Sequence, residues 1–576
     1  MAVSGCRIIR YRRQLLEPLE IMDQDIYALS STIVDETALA APMLATQLGI
    51  PGHDHQWNNH SPEGLAALAD LQRDQLRRVN ALPEASDRWA RLAADVARAE
   101  LERGLVLHDA GEGFRELNSL ASPLQFLRDA FDQMETSTVQ GWLDIASRLE
   151  KLPEALGQHA QSLSLGRERG HAVARRQVLE AIRQARNHAG DESHFSTFPS
   201  AAAEVVDDAL ASRVEAGVAK ARAAYSEFAD FLEGDYLAVA TGRDGVGRDR
   251  YVMHAARFLG TEIDPIATYE WGWNEVERLR NRMAEVAEEI LPGGALADAL
   301  ELLLTDPERA AKSQDEFVGM MLERQETALS ELEGTHFDVP EPVRAIDVKM
   351  TPPGGPLGAY YYQPSEDFTR PGTVYWSKGD QQQIPLFDEV TTAYHEGFPG
   401  HHLQVGHQLT ADDRFSRFQK MMVWYSGSGE GWALYAEDLM EELGYLEKPD
   451  YVMGKLASEM LRACRVVIDI GSHLELPIPD DQPFHPGEHW TFEFGVEMLD
   501  TYAAQDHALS ISEMNRYLGW PGQAISYKVG QQAIRDLRSE EQSRLGPAYD
   551  QKAFHARLLE VGAIGLDTLR SHVRGV

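Results

Sequence analysis

Three histidines and one glutamate fall within the eight-residue segment His395–His402, whose sequence is HEGFPGHH. Imidazoles together with a carboxylate form the ligand and base set of zinc hydrolases. The residue types and their crowding therefore predict a metal centre that performs hydrolysis. The alternative is a helix end followed by a loop with surface histidines, which would not require these four side chains to lie so close together.

The spacing departs from the HExxH pattern, in which two histidines lie one helical turn apart. Pro399 stands where the second histidine would be, and His401 and His402 follow His395 by six and seven positions. On an unbroken helix His402 would share a face with His395 but lie roughly 10.5 Å further along, and His401 would point about 120° away. Because Pro399 lacks an N–H group and glycines flank it, we expect a bulge or kink that returns one later histidine to the metal.

Three blocks of sequence resemble the signatures of a bacterial domain-of-unknown-function family, number 885: His395–Gln404, Glu430–Glu437 and Pro521–Gly530. The resemblance covers most of the chain. That family is similar in fold to the Taq-type metallocarboxypeptidases and, more distantly, to the thimet-type oligopeptidases, which are largely helical proteases with a deep central cleft. Their motif reads HEFGHAL, and this chain reads like it with Gly397 and Pro399 inserted. The resemblance therefore implies a mainly α, metallopeptidase-like fold with a central cleft.

A zinc site of this type needs a third protein ligand and leaves a fourth position to water. The resemblance implies His401 as the second histidine ligand and Glu430, on the following helix, as the third ligand. Ideal helix geometry favours His402 instead, so both histidines stay open. Glu437 lies two turns beyond Glu430 on the same face and is the alternate carboxylate, with the other one orienting a ligand imidazole. Glu396 is then the general base.

The resemblance also implies groups that contact the substrate or the transition state. Tyr527 is the candidate oxyanion donor, because a neutral phenol can donate a hydrogen bond at neutral pH. Arg465, Asp469 and His473 recur every fourth residue in the helical segment Pro449–Leu474. This polar stripe would face the cleft, with His473 stabilising the oxyanion and Arg465 binding substrate, or would form an ion pair on a wet face.

The elements that must position these residues are mostly helices. Apolar residues at helical spacing predict long helices over Ser200–Glu233, Ile266–Leu291 and Ser313–Glu333. A helix from Leu386 carries the first histidine, and a further helix is expected to begin at Glu430, after a break of alternating serine and glycine.

The pattern changes just before the histidine segment. Ile346–Met350, Ala359–Tyr362 and Thr373–Trp376 are short β-branched and aromatic runs separated by proline and glycine, which predicts a small sheet beside the active site. An exposed edge strand there could hold an extended substrate, with Tyr361 and Tyr362 as substrate-binding residues. The alternative is a structural hairpin that packs its tyrosines.

The composition is that of a large globular chain: 576 residues, 43% hydrophobic and 25% charged. A net charge of −37 disfavours nucleic acid and anionic membranes as partners. No apolar run reaches the length of a membrane span. We expect a ragged N-terminal segment (1–20), a helical region forming one wall of the cleft (21–340) and a catalytic region (341–576).

Only two cysteines occur, Cys6 and Cys464, so a disulfide framework is excluded and a reducing compartment is compatible. The start, Met1–Cys6, superficially resembles a lipoprotein cleavage box, but no apolar stretch precedes Cys6 and basic residues follow it. The expected location is the cytoplasm.

These observations predict a hydrolase with one Zn²⁺ per chain, bound by His395, His401 and Glu430, that acts on short peptides as a carboxypeptidase or oligopeptidase. Cobalt, manganese or nickel could occupy such a site. A non-peptide amide or ester hydrolase would use the same chemistry. A catalytically inactive scaffold or interaction protein is the other class, and Glu396 argues against it. A homodimer is compatible with the sequence.

Overall fold

The fold is mainly helical, as predicted, with two small sheets. It is described by a computed structural model for residues 25–351, 358–365, 368–378, 381, 383–411 and 414–575. The predicted segment 1–20, with Cys6, lies outside the described residues. No helix in the described part of the chain is long and apolar enough to span a membrane.

The α-helices of the first 340 residues are joined mostly by short turns. They are α1 (Ile26–Ala40), α2 (Pro42–Gln47), α3 (Pro62–Ala81), α4 (Arg88–Asp109), α5 (Pro123–Asp129), α6 (Val139–Glu168), α7 (Arg175–Ala189), α8 (Phe198–Ala203), α9 (Asp208–Phe231), α10 (Arg248–Leu259), α11 (Pro265–Ile290), α12 (Leu296–Thr305) and α13 (Gln314–Leu332).

The remaining α-helices include those that carry the predicted metal ligands. They are α14 (Glu389–Glu396), α15 (His401–Leu409), α16 (Arg417–Met422), α17 (Ser426–Glu442), α18 (Pro449–Leu474), α19 (Phe492–Tyr502), α20 (His507–Gly519), α21 (Ser526–Leu545), α22 (Gln551–Leu559) and α23 (Leu566–Arg574).

Two of the three long predicted helices are confirmed within a residue or two, as α11 and α13. The single helix predicted over Ser200–Glu233 is wrong, because the chain breaks between α8 and α9. Asp207 lies at this break in extended backbone, and its carboxylate accepts a hydrogen bond from the N–H of Leu210. An aspartate that caps a new helix satisfies an otherwise unpaired donor, which favours a restart over a continuous helix.

The helix predicted to begin at Glu430 begins earlier, at Ser426. Its glycines serve close packing rather than a break. A Cβ atom added to Gly530 on α21 would lie 1.8 Å from the carbonyl oxygen of Gly427. A Cβ atom on Gly431 of α17 would in turn lie 2.5 Å from the backbone of Gly530, so the two helices approach closely only because both carry glycine at the contact.

Two separate apolar cores lie among the described residues. The smaller one is built from residues between Leu117 and Tyr236, and the larger one draws on residues from Leu29 to Val573. The larger core includes apolar residues of α1, α4, α11 and α13 as well as those of α14–α18. It therefore extends across residue 340, the boundary that the sequence analysis predicts.

The predicted sheet is confirmed and consists of β2 (Ile346–Met350), β3 (Gly358–Tyr362) and β4 (Gly372–Ser377) in the order β2-β4-β3. Strand β4 is parallel to β2 and antiparallel to β3, so β3 is an edge strand. The second sheet is a two-residue pairing of β1 (Ala310–Ala311) with β5 (Ile384–Pro385). The indole N–H of Trp376 on β4 donates to Glu389 Oε2 at 2.7 Å, which fixes the sheet against the start of α14.

Candidate metal centre

The two histidine-bearing helices are separated by a sharp turn. Helix α14 ends at Glu396 and α15 begins at His401. The indole N–H of Trp432 donates to the carbonyl oxygen of Pro399 at 2.9 Å and holds the turn against α17. Glycine is required at Gly400, because a Cβ atom there would lie 1.9 Å from a carbonyl oxygen at the end of α14. The predicted interruption of the helix is therefore confirmed.

The turn brings His401 beside His395, with ring centroids 5.0 Å apart. Nε2 of His395 lies 3.4 Å from Oε2 of Glu430, and Nε2 of His401 lies 3.5 Å from the same oxygen. Ligand atoms bonded to one tetrahedral zinc ion at ~2.0–2.1 Å lie roughly 3.3–3.4 Å from each other. The observed distances match that spacing and exceed the ~2.9 Å of ordinary N–H···O hydrogen bonds. The donor set therefore fits a zinc ion.

Glu396 lies at the same point. Single ligand atoms of His395, Glu396 and His401 all lie within 4.8 Å of one another. Burial raises the pKa of the Glu396 carboxyl, and the two imidazoles oppose this shift. Glu430 has ligand spacing to both histidines as well, so two carboxylates lie beside the histidine pair.

Glu437, the alternate carboxylate, lies behind His395. Its Oε1 accepts a hydrogen bond from Nδ1 of His395 at 2.8 Å, and its Oε2 accepts one from the Thr391 hydroxyl at 2.5 Å. This arrangement places the proton on Nδ1 and directs the Nε2 lone pair towards Glu430. A carboxylate in that position orients a ligand imidazole and raises its basicity.

The carboxylates of the centre favour a positive charge on His395. Burial lowers the pKa of His395, but the carboxylates of Glu430 and Glu437 outweigh it and raise the pKa to about 10. Burial would raise the pKa of Glu430, yet interactions with His395 and His401 hold it well below its usual range. Nδ1 of His401 is buried without a hydrogen-bond partner in the described structure.

His402, the alternate histidine ligand, points away from this centre, and that alternative is corrected. Its Nε2 donates to the carbonyl oxygen of Val343 at 2.7 Å, and its Nδ1 accepts from the Tyr361 hydroxyl at 3.0 Å. Both ring nitrogens are therefore occupied. Burial lowers the pKa of His402 to about 4, which keeps the ring neutral. The residue joins α15 to the sheet.

The metal centre opens into a cleft of about 590 Å³, within the usual range for ligand pockets. The lining residues come from the edge strand β3, the two histidine helices, α17, α18 and α21; they are Ala359, Tyr360, Tyr361, Tyr362, Gln363, His395, Glu396, His401, Val405, Trp424, Glu430, Arg462, Arg465 and Tyr527. The edge strand therefore lies beside the metal centre. Tyr362 is 54% exposed at the cleft, whereas the hydroxyl of Tyr361 is bound to His402.

Tyr527 and Arg465 both line the cleft, but their polar groups differ in availability. The Tyr527 hydroxyl has no hydrogen-bond partner among the described residues. The negative charge of Glu430, together with burial, raises the pKa of Tyr527 to about 12, so the phenol stays protonated. The guanidinium of Arg465 is already paired, with Nη2 2.9 Å from Glu513 and Nε 3.0 Å from the Tyr517 hydroxyl.

His473 does not line the cleft, and its predicted catalytic role is corrected. It is fully buried, and its Nε2 donates to the carbonyl oxygen of Tyr517 at 3.0 Å. Asp469 is also buried and accepts hydrogen bonds from Tyr251 and Gly522, so the alternative of a wet face is wrong as well. Eight residues along a helix correspond to roughly 12 Å and a rotation of ~80°, which takes His473 away from the cleft that Arg465 faces.

Arg462 and Trp424 line the cleft without having been predicted from the sequence. For Arg462 a signal existed, since it precedes Arg465 by three residues and so shares its helix face. For Trp424, which precedes α17, the sequence offers no comparable signal.

The profile of a family described as "Bacterial protein of unknown function (DUF885)" matches residues 42–573. The crystal structure of a putative lipoprotein from Colwellia psychrerythraea is similar, with a TM-score of 0.81 and 21% identity, over 96% of this chain and 98% of that one. A putative lipoprotein of unknown function from Shewanella oneidensis gives a TM-score of 0.75 and 16% identity, over 95% of this chain and 99% of that one. The search of curated proteins finds no match. At these identities the two structures show a shared fold.

Proposed function

The chain belongs to the DUF885 family, whose description names no function, and we propose that it is a zinc-dependent hydrolase that cleaves short peptides. One observation carries the proposal: Nε2 of His395 and Nε2 of His401 each lie at the spacing of two zinc ligands from Oε2 of Glu430, inside a cleft. Glu396 lies beside these atoms without being needed as a ligand. Three protein ligands, a spare carboxylate and an open side are typical of catalytic rather than structural zinc sites.

Each residue of the centre has a task in hydrolysis. A zinc ion held by His395, His401 and Glu430 would supply a Lewis acid to water and to the substrate carbonyl group. The Glu396 carboxylate accepts the proton of the attacking water and then donates it to the leaving amine. The Tyr527 hydroxyl, which is protonated and unpaired, donates a hydrogen bond to the developing oxyanion.

The edge strand favours peptides over other amides and esters. Strand β3 lines the cleft beside the metal ligands and pairs with β4 along only one of its edges among the described residues. An extended peptide can add to such an edge by backbone hydrogen bonds. A non-peptide amide or ester would make no use of this edge, so it is the second candidate.

Metal content tests the proposal first. We expect about one zinc per chain in the wild type, by elemental analysis, and loss of zinc in His395→Ala and His401→Ala. His402→Gln is the matched control, because His402 is adjacent in sequence but bonds to Val343 and Tyr361, and it should keep the metal. Zinc-loaded wild type is then assayed with short peptides, amides and esters. A wild type that takes up no zinc would refute the hydrolase.

The compartment is a separate proposal. The cytoplasmic prediction rests on cysteine usage and on the residues around Cys6, which lie outside the described part of the chain. Both similar structures are of putative lipoproteins, which favours a location outside the cytoplasm. Fractionation of cells that produce the full-length protein, with an antibody against it, separates the two locations.

A further inference from the structure

Arg462 on α18 lines the cleft with unused hydrogen-bond donors. Its Nη1 donates to the carbonyl oxygen of Ser458 at 3.0 Å and also contacts the Ser458 hydroxyl. Its Nε is buried and has no hydrogen-bond partner. No carboxylate forms an ion pair with this guanidinium among the described residues. A half-buried arginine without an anion leaves hydrogen-bond donors unpaired unless a ligand supplies one.

Arg465, one turn further along α18, provides the contrast. Its guanidinium is paired with Glu513 and with the Tyr517 hydroxyl. Arg462 and Arg465 are the only arginine or lysine side chains among the described residues that line the cleft. Outside the metal centre, the positive charge that is left for an anionic ligand is therefore that of Arg462. Since the whole chain carries a net charge of −37, an anion would be attracted by this local charge and not by the overall field.

Arg462 also lies close to the reacting groups. Its guanidinium is 6.0 Å from the ring centre of Tyr527. Glu396 and Tyr527 line the same cleft as Arg462. An anion bound by Arg462 would therefore lie beside Tyr527, near the proposed reaction centre.

We propose that Arg462 binds the C-terminal carboxylate of the substrate, so that the enzyme removes single residues from the C-terminus. This inference rests on the proposed function. A chain extends by at most ~3.3–3.6 Å per residue, so a terminal carboxylate lies beside the scissile bond only when one residue follows that bond. The planar guanidinium, with Nε and Nη2 unpaired, presents the two parallel donors that a carboxylate accepts.

The first test compares three substrates: an N-acetylated dipeptide with a free C-terminus, its C-terminal amide, and an amide that carries glutamate as its last residue. Wild type should cleave the acid with kcat/KM roughly 10- to 150-fold above that of the amide, the range given by one hydrogen bond to a charged group. In Arg462→Ala this ratio should fall to near one, mainly through KM. Arg462→Lys should keep part of it, and Arg538→Gln, whose arginine is paired with Glu442 outside the cleft, should leave it unchanged.

The ratio of kcat/KM for the acid to kcat/KM for the amide does not change when a substitution lowers the activity on both substrates equally, because both are measured on the same protein. A wild-type ratio near one, or a ratio that Arg462→Ala leaves intact, would overturn the inference while the hydrolase proposal stands. Equal cleavage of the glutamyl amide and the free acid would show that Arg462 binds a side-chain carboxylate. This outcome would also overturn the inference.

Binding separates failure of the inference from failure of the proposed function. In a Glu396→Gln background the free acid should bind more tightly than the amide by calorimetry, and addition of Arg462→Ala should abolish the difference. If zinc-loaded wild type cleaves no peptide but this difference is present, the hydrolase proposal fails and the carboxylate site stands. If the difference is also absent, the inference fails as well.

Discussion

Helix α17 contributes carboxylates to two clusters of charged residues that balance their charge differently. In the first, the ion network, four carboxylates meet four basic side chains: Glu275, Asp438, Glu441 and Glu459 with Arg278, Lys455, Lys528 and Arg535. In the second, the metal centre, Glu430 and Glu437 of the same helix lie near Glu396 and contact imidazoles. None of these three carboxylates has an ion pair with lysine or arginine among the described residues.

The difference shows in which cluster protein side chains alone balance the charge of the carboxylates. A buried carboxylate without a counter-charge costs several kcal/mol. The ion network supplies its own cations, so it can stabilise the packing of α11, α17, α18 and α21 without a ligand. The metal centre has three carboxylates against two histidines, which are neutral when they bind metal. On the proposed function a divalent cation would supply positive charge there, and four predictions test this distinction.

Glu396→Gln should have the largest effect, because it removes proton transfer from the metal centre and leaves the proposed ligands in place. We expect kcat on a cleaved peptide to fall by about 10²- to 10⁴-fold, the contribution of a positioned general base. Zinc content should stay at the wild-type level. Loss of zinc together with activity would show instead that Glu396 is a ligand.

Lys528→Met should break the ion network without touching the metal centre. Lys528 is fully buried and lies 3.1 Å from Glu275 and 3.4 Å from Glu459, so its removal leaves buried carboxylates short of a cation. We expect a loss of about 3–5 kcal/mol in the free energy of unfolding, measured with urea. Lys552→Met is the control, since its surface pair with Asp338 should contribute less than ~1 kcal/mol. Equal losses of unfolding free energy in Lys528→Met and Lys552→Met would contradict the comparison of the two clusters.

Zinc itself should stabilise the metal centre. At a free zinc concentration of 100 times Kd, the free energy of unfolding should rise by about 2.7 kcal/mol, provided that zinc binds only the folded chain. A chelator should reverse the gain, and His401→Ala should show none. The Lys528→Met variant should gain as much from zinc as the wild type does. A gain that survives His401→Ala would place the bound zinc elsewhere.

Glu437→Gln should have the smallest effect, because it alters the support of a ligand and not a ligand. The amide can still accept from Nδ1 of His395 but no longer contributes a charge, and we expect zinc affinity to fall by about 10- to 100-fold in a competition titration. Glu442→Gln, further along the same helix and paired with Arg538 at the surface, is the matched control and should bind zinc like the wild type. Unchanged affinity in Glu437→Gln would mean that the hydrogen bond alone orients His395.

Local patterns predicted much of this fold because they depend on neighbours along the chain. Apolar spacing located α11 and α13, and the β-branched runs located all three strands of the larger sheet. The same reasoning failed at Ser426–Gly429, where glycine usually marks a break. There a Cβ atom at Gly427 would meet Leu259 and one at Gly429 would meet Trp424, so contacts with other segments and not a break explain the two glycines.

At the candidate site, too, local patterns predicted some features and contacts between remote segments decided the others. The residues themselves identified His395, Glu396 and a helix interruption at Pro399, since these follow from chemistry and from the missing N–H group. The choice between His401 and His402 depended on how many residues the turn absorbs, which the contacts of Trp432 and Gly400 decide. Arg462 was not predicted because it lies outside the fourth-residue pattern of Arg465, Asp469 and His473, and its lack of a carboxylate partner depends on the other helices.

The sequence by itself determined the helical class, the small sheet and the presence of a cluster suited to metal chemistry, because residue type and periodicity are local properties. The tertiary structure decided which histidine meets Glu430, that Glu437 lies behind His395, that His473 is buried and that Arg462 lies in the cleft without a carboxylate partner among the described residues. Each of these depends on contacts between segments that are distant in the chain. Such contacts are fixed by packing, and packing is a property of the whole fold.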